Sequence, residues 1–300
     1  MSFQKLHRIE YKSPDLEALT QQFTVVDMHF HSHYSDGHDA VPEIAAQASE
    51  LGIGIAVTDH NEIRGAMELA KHEGLLSIPG IEVTSVEGSH LLAYFYSLKD
   101  LEHFYLTAVV PFMGADVMSS TTREMEALIE AARLYSAVVV LPHPYSAAYT
   151  GIHNSYFSQE RLQNIYDMVD GIEVINAENT NKWNLKSTVL GFNLAKGVTG
   201  GSDGHRLSQM GKSVTLAASG TSREAFLNEL RAGLTKVVGK EIDLLRKVTS
   251  NTLKLRSNMR NYPDLIDKNI RYSYAVFKSK RQSLRHSVMR GLNGRIRKTG

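Results

Sequence analysis

The sequence predicts an α/β protein, a βα-repeating sheet or barrel of seven strands, and three observations carry that prediction. Apolar runs bounded by glycine or acid recur along the chain. Helical patterns fall between most of them. Nearly every parallel run ends in an imidazole or a carboxylate, as strands do at the functional face of a parallel barrel.

The seven runs are FTVVDMH (23–29), IGIAVTDH (53–60), LLSIPGIEVT (75–84), HLLAYFY (90–96), AVVVLPH (137–143), GIEVIN (171–176) and KGVTGGSD (196–203). Between them, Pro42 to Leu51 reads as a helix closed by Gly52, and Glu62 to Glu73 as one closed by Gly74. Thr121 with Glu124 reads as a capping box for a helix ending near Tyr135, and Thr221 with Glu224 repeats the signature before AFLNELRAGL. The linker Glu87-Gly88-Ser89 is too short for a parallel crossover, which needs a dozen or more residues. The run at 90–96 is therefore expected to fold back as a hairpin on the one before it.

At 300 residues the chain has room for one large domain with an appendage. Its 42% hydrophobic and 22% charged residues are ordinary for a water-soluble globular chain, and no run approaches the roughly 18 apolar residues of a membrane span. The start, MSFQKLHRIEYKSPDLE, has no apolar signal core, so a cytoplasmic protein is expected. Cysteine is absent, so any metal must be held by imidazole and carboxylate. The formal net charge of +1 conceals an asymmetry: residues 240–300 carry 16 Lys+Arg against 4 Asp+Glu, and residues 1–239 carry 17 against 28. The predicted division is a barrel over 1–240 and a basic, helical extension over 241–300, with the boundary at Gly239 to Glu241.

The strand ends form an inventory of metal-seeking groups: His29 and His31, Asp59 with His60, Glu82, His143, and Asp203 with His205. His29 and His31 are two apart and share one face of an extended strand. Asp36 and His60 can meet there from adjacent loops. The hairpin places His90 beside the strand carrying Glu82. A single histidine at a strand end is ordinarily a hydrogen-bonded structural residue; many ionisable groups buried together cost several kcal/mol per charge without a counter-ion, which favours a metal cluster.

DMHFHSHYSDG, VTDHNE, PGIEVT, HLLAYFY, PHP and GGSDGH, in this order, resemble the signature of the PHP (polymerase and histidinol phosphatase) domain, over about residues 24–206. The resemblance implies a distorted seven-stranded (β/α)7 TIM-like barrel and a phosphoesterase using two or three divalent ions, manganese, zinc or iron. It implies that His29, His31, Glu82 and Asp203 surround one ion, that Glu82 bridges to a second held by His90 and His143, and that Asp36, His60 and His205 hold a third. Asp36 stands where some relatives have histidine. The large substrate-capping subdomain of the nucleotide-cleaving branch is missing, since only Ser97 to Ala137 intervenes, so nucleotide specificity is not carried over.

Clustered divalent ions lower the pKa of bound water and offset charge during in-line displacement, so the expected nucleophile is a metal-bridging hydroxide and no protein nucleophile is required. His33 or His205 is a candidate for protonating the leaving oxygen. Arg64 and Arg206 are candidates for the substrate phosphate, against the plainer reading of solvated surface charges. Glu173 and Asn176 line the pocket or pack their strand. His7, His72, His103 and His153 read as surface, and Trp183 as packing.

In the extension, Ile270, Tyr274, Phe277, Leu284, Val288, Leu292 and Ile296 trace one helical face, with cations elsewhere around it. It packs on the acidic barrel or a second subunit, attaches peripherally to an anionic membrane surface, or contacts nucleic-acid phosphates. The leading function is metal-dependent hydrolysis of a phosphorylated small molecule, a phosphomonoester or phosphodiester. The alternatives are a binding or scaffold module directed by the basic tail, and an amidohydrolase-type hydrolase.

Overall fold

All seven expected strands are present in the computed structural model, which describes residues 8–146, 150–218 and 220–242. They are β2 (Thr24–Phe30), β3 (Gly54–Val57), β4 (Gly80–Thr84), β5 (His90–Tyr94), β6 (Val138–Leu141), β7 (Gly171–Asn176) and β8 (Gly197–Gly201). Three strands go beyond the expectation: β1 (Ile9–Tyr11), β9 (Ser213–Ala217) and β10 (Lys236–Gly239).

The ten strands form two five-stranded mixed sheets, in orders β1-β10-β9-β2-β3 and β4-β5-β6-β7-β8. The expected closed ring of seven strands is therefore corrected, and the reason is β9. It pairs antiparallel with β2, Val26 opposite Thr215, and so occupies the edge that β8 would have used. The sheets still meet at two seams. At one, Asn61 N–H donates to Glu82 O at 2.8 Å and Glu82 N–H to Asp59 O at 3.2 Å. At the other, Asp203 N–H donates to His29 O at 2.8 Å and His31 N–H to Gly204 O at 2.9 Å. Both seams thus run through site residues. The hairpin appears as expected: β4 and β5 pair antiparallel with Thr84 opposite His90.

β2 is buried on both faces from Val25 onward, because helices cover one side and the site and core fill the other. Among the helices, α1 is Leu16–Thr20 and α2 is Val41–Glu50. α2 has a proline in its first turn, and the chain leaves it through Gly52 at φ 68°. α3 is only Arg64–Leu69, shorter than expected. α4 (Leu98–Phe104) runs into a π-turn over 105–109, and α5 is Met125–Arg133. The Thr121 box does not form: Thr121 Oγ1 donates to Thr84 O at 2.9 Å, tying the segment to the end of β4 instead. α6 (Gln159–Met168) and α7 (Asn181–Leu194) follow. α8 (Arg223–Arg231) is capped by Ser222, whose Oγ accepts from Ala225 N–H at 3.1 Å, one residue after the expected Thr221. The expected helical extension lies outside the described residues beyond Ile242.

The β2–β8 seam requires glycine. A Cβ on Gly201 would lie 2.3 Å from His29 Cβ and 2.9 Å from Glu173 Oε1, and one on Gly204 would lie 2.5 Å from the Phe30 ring. Gly201→Ala is therefore expected to cost about 1–3 kcal/mol by overpacking, read as a lowered urea midpoint at unchanged m-value. An unchanged midpoint would show that the seam has slack.

Candidate metal centre

Each strand that reaches the seams delivers a side chain to one buried point. β2 is extended there, so alternate residues Asp27, His29 and His31 face inward together. β3 leads into Asp59 and His60, β4 carries Glu82, β5 begins at His90, and the chain after β6 turns at His143. The loop after β8 supplies Asp203 and His205, and the loop after β2 supplies Asp36. All nine side chains nominated as metal ligands converge.

Glu82 is at the centre. Its Oε1 lies 2.8 Å from His90 Nδ1 and 3.2 Å from His143 Nε2. Its Oε2 lies 3.1 Å from His60 Nδ1, 3.3 Å from His29 Nε2 and 3.5 Å from His31 Nε2. Asp203 Oδ1 is 3.0 Å from His31 Nε2 and 3.5 Å from His29 Nε2. Those two imidazole nitrogens approach each other to 3.2 Å. Asp36 lies 3.0 Å from His205 Nε2, 3.6 Å from His31 Nδ1 and 3.7 Å from His60 Nε2. The side chains of His29 and His31 are 0% exposed, whereas Asp36 is 17% and Asp203 18% exposed, so the cluster opens to solvent on the side of those two acids.

The donor set fits a cation. Buried His31 Nδ1, His143 Nδ1 and Glu82 Oε2 have no well-formed hydrogen bond. Four overlapping triads place their ligand atoms within 4.8 Å of one another: His29, Glu82 and His143; His29, His31 and Asp203; His31, Asp36 and His205; His31, His60 and Glu82. Imidazole and carboxylate are the ligands of zinc, manganese and iron sites. Backbone strain accumulates here as well, with His143 at φ 27°, Asp203 at φ 50° and Asn61, beside His60, at φ 46°.

At His29, His31, His60, His143, Glu82 and Asp203 burial opposes charge, and its balance with neighbouring charges decides the outcome. For His29 burial is outweighed by Asp203, Glu82 and Glu173, which raise its pKa well above the ordinary value. His31 and His143 are likewise raised against burial, His31 chiefly by its bond to Asp203 and His143 chiefly by its bond to Glu82. For His60 burial wins and its pKa falls to about 3. Glu82 and Asp203 are held well below the carboxylate range despite burial, Glu82 chiefly by His90 and His29, and Asp203 chiefly by His29 and His31.

Three further acids support this cluster without entering it. Glu173 accepts from His29 Nδ1 at 3.1 Å, His143 N–H at 2.8 Å and Asn176 Nδ2 at 3.0 Å, so it fixes the His29 ring with Nε2 toward the cluster. Asp27 accepts from the N–H of Ser202 and of Gly211, both at 2.9 Å, and burial pushes its pKa up to about 6. Asp27 was not singled out from sequence, although its parity with His29 and His31 was the available signal. Asp59, grouped above with the strand-end ligands, turns away: it accepts from Ser32 N–H and Oγ and from Ser35 Oγ at 2.6–2.8 Å, shaping the loop that carries Asp36.

Arg64 and Arg206 differ. Arg64 pairs with Glu62 at 2.7 Å and stacks over the Tyr34 ring at 4.7 Å, so its guanidinium is engaged. Arg206 enters no ion pair among the described residues and lies beside His38, whose pKa is lowered by burial and then by Arg206 and His205. His33 is exposed and packs on Tyr34 at 4.2 Å, while His205 is held between Asp36 and the Asp203 carbonyl.

Fold and site together define a class, α/β proteins that bury a histidine–carboxylate cluster able to hold metal at the ends of their strands. The sequence profile of the PHP domain matches residues 27–185, and that of the PHP-associated region matches 182–235. The chain belongs to the PHP domain family. It is 26% identical over 166 residues to uncharacterized protein MJ1587 of Methanocaldococcus jannaschii, covering 50% of this chain and 81% of that one. Similar folds include a two-domain protein of Bacteroides vulgatus containing a predicted PHP-like metal-dependent phosphoesterase, at TM-score 0.55 and 20% identity over 80% of this chain and 73% of that one. They also include the lesion-specific endonuclease PfuEndoQ of Pyrococcus furiosus, at TM-score 0.58 and 19% identity over 72% of this chain and 58% of that one. PsfC of Pseudomonas syringae gives 0.56 and 18% over 79% and 99%.

Because the Asp59 carboxylate satisfies three donors of the Asp36 loop, Asp59→Ala is expected to lower stability by about 2–4 kcal/mol, each lost charged hydrogen bond contributing ~1.5–3 and partly recovered by water. A loss below ~1 kcal/mol in chemical denaturation would show that the loop holds its shape without it.

Proposed function

We propose that this chain is a metal-dependent phosphoesterase that hydrolyses a phosphomonoester or phosphodiester. The observation that carries the reading is the approach of His29 Nε2 and His31 Nε2 to 3.2 Å, both facing oxygens of Glu82 and Asp203 in a buried pocket. Such a concentration of lone pairs and charge is stabilised by divalent cations. His29, His31 and Asp203 would hold one ion with Glu82, which reaches toward a second beside His90 and His143. Asp36, His60 and His205 would hold a third, and His31 reaches this group through its second nitrogen. Two or three ions of manganese, zinc or iron suit these donors. Such ions, when bound, acidify water and neutralise phosphoryl charge.

The chain's own groups do the rest. Glu173 and Asn176 hold His29 and Asp203 in place, Asn176 Nδ2 lying 3.1 Å from Asp203 Oδ2. Two hydroxyls next to the ligands in sequence are engaged elsewhere: Ser32 Oγ donates to Asp59 at 2.6 Å and Ser202 Oγ to the His29 carbonyl at 3.3 Å. That favours water as the nucleophile. Arg206, in no ion pair among the described residues, binds the substrate phosphate; Arg64 could join only by leaving Glu62. His33, exposed beside the Asp36 loop, is the better placed of the two candidates to protonate the leaving oxygen.

A phosphorylated small molecule is the substrate class. The charge over residues 240–300, 16 Lys+Arg against 4 Asp+Glu, suits contact with phosphate-rich surfaces, nucleic acid or anionic lipid. No described helix is long and apolar enough to cross a membrane.

Metal content by elemental analysis after manganese or zinc loading, with release of phosphate from a monoester and diester panel, tests the reading. Bound metal with phosphate release is expected. Failure to bind metal at all would overturn it. Glu173→Ala is expected to weaken metal affinity about 10–100-fold while the metal-free chain still folds, read by titration calorimetry and circular dichroism. Because nearby carboxylates raise the pKa values of His29, His31 and His143 against burial, these rings hold protons more tightly than free imidazole when no metal is bound. Zinc uptake at pH 7 should then expel protons, and affinity should rise with pH. The measured enthalpy would therefore scale with the buffer's ionisation enthalpy, and a buffer-independent value would contradict those shifts.

A further inference from the structure

At the mouth beyond His143, three aromatic rings lie almost parallel. Tyr145 stacks on His153 with centroids 3.9 Å apart and 7° between planes, and it faces Trp183 at 6.4 Å, again with 7° between planes. The platform is pinned from below and from the side. His153 Nε2 bonds the Tyr166 hydroxyl at 2.7 Å, and Asn179 Nδ2 donates to the Tyr145 carbonyl at 2.6 Å. Two ammonium groups sit over these rings: Lys186 Nζ lies 5.3 Å from the Tyr145 centroid and 4.6 Å from that of Trp183, and Lys182 Nζ lies 5.4 Å from that of Trp183.

This arrangement is close to the cluster by construction. Tyr145 is two residues from His143, at most about 7 Å along the chain. Trp183 lies in the first turn of α7, which follows the short loop after β7, the strand whose last residue, Asn176, touches Asp203. Tyr145 and Trp183 are only half-buried. The lysine chains over them are exposed and free to swing aside, and parallel, half-buried aromatic faces are what a flat ring meets when it stacks in a partly wet groove.

We propose that Tyr145 and Trp183 are specificity-determining residues, forming a subsite for the alcohol part of the substrate, and that this part carries a planar aromatic or heteroaromatic ring. The inference rests on the phosphoesterase reading: the ester's phosphate lies at the cluster and its ring against these two faces, in the place the Lys182 and Lys186 ammonium groups now cover.

Trp183 is the chain's one tryptophan, so the proposal has an optical readout independent of turnover. The full, zinc-loaded chain is titrated with two non-hydrolysable probes, 2-phenylethylphosphonate and n-butylphosphonate, while tryptophan emission is followed. Hydrolysis of 2-phenylethyl phosphate and n-butyl phosphate, whose leaving groups are both simple alkanols, is measured alongside. The phenylethyl probe is expected to quench Trp183 and to bind about tenfold more tightly than the butyl probe, equivalent to ~1.4 kcal/mol. The phenylethyl ester is expected to show a similar advantage in kcat/KM. Tyr145→Leu, which keeps the fluorophore, should shrink the difference in binding, and Trp183→Leu should bring the kcat/KM ratio toward one. Turnover of both esters at equal kcat/KM, with no selective quenching, overturns the subsite and leaves the phosphoesterase reading standing. Selective quenching by the phenylethyl probe with neither ester hydrolysed keeps the ring subsite and overturns the phosphoesterase reading.

Discussion

The structure turns on one buried carboxylate. Glu82, 1% exposed, faces five imidazoles at 2.8–3.5 Å, and those rings come from both sheets. Taking a carboxylate out of water costs several kcal/mol even after relaxation. The surrounding rings compensate only if each presents the correct nitrogen at the correct angle, and that requirement reaches outward into the fold. The sheets meet where Glu82 N–H bonds Asp59 O and Asn61 N–H bonds Glu82 O. The backbone that carries the central ligand is thus also the backbone that joins the halves.

A second tier of polar groups makes this geometry rigid. Asp27, Asp59 and Glu173 are each buried and each accepts from at least three donors; those of Asp27 and of Glu173 come from different segments, and those of Asp59 all come from the loop that carries Asp36. A buried carboxylate with its lone pairs filled acts as a cross-link, since losing any one donor would leave charge unsatisfied. Hydroxyls from β9 do the same across the β2–β8 seam: Thr215 Oγ1 accepts from Gly200 N–H at 2.9 Å and donates to Gly200 O at 3.0 Å. Where a closed barrel would have a strand ladder, this chain has glycines that permit close approach and side chains that bridge it.

That difference explains what was legible in the sequence. The seven expected strands announced themselves because they are buried on both faces, which leaves an apolar run, and because most of these runs end in histidine or acid. The short Glu87-Gly88-Ser89 turn gave the antiparallel hairpin, and with it the place of His90. β9 and β10 were missed because SVTLA and KVVG, though no shorter than β3 or β6, carry neither histidine nor acid, and without them nothing in the sequence argued against closure of the ring. Convergence of the nine histidines and acids followed from strand ends, which topology places together. The division of labour among acids did not, because Asp59 and His60 are neighbours in sequence and point to different tasks. Likewise Arg64 looked available until Glu62, two residues before it, claimed its guanidinium.

Strand-borne and loop-borne groups therefore carry different constraints. Residues on β2, β4 and β5 are fixed by sheet register, so moving one would shift every neighbour. The mouth is built from loops instead. One is the segment after α4, held by Asn61 Nδ2 donating to Val117 O at 2.7 Å and Ser119 O at 2.9 Å. Another is the turn after β6 that presents Tyr145, stacked and tied as a unit. Changes there alter what is admitted while leaving the cluster's spacing intact, because Asn61, Asn176 and Asn179 bind the loops through side-chain amides rather than through the strand ladders. A family that shares strands and varies loops can thus share chemistry and differ in substrate, with no change at Glu82 or the imidazoles around it.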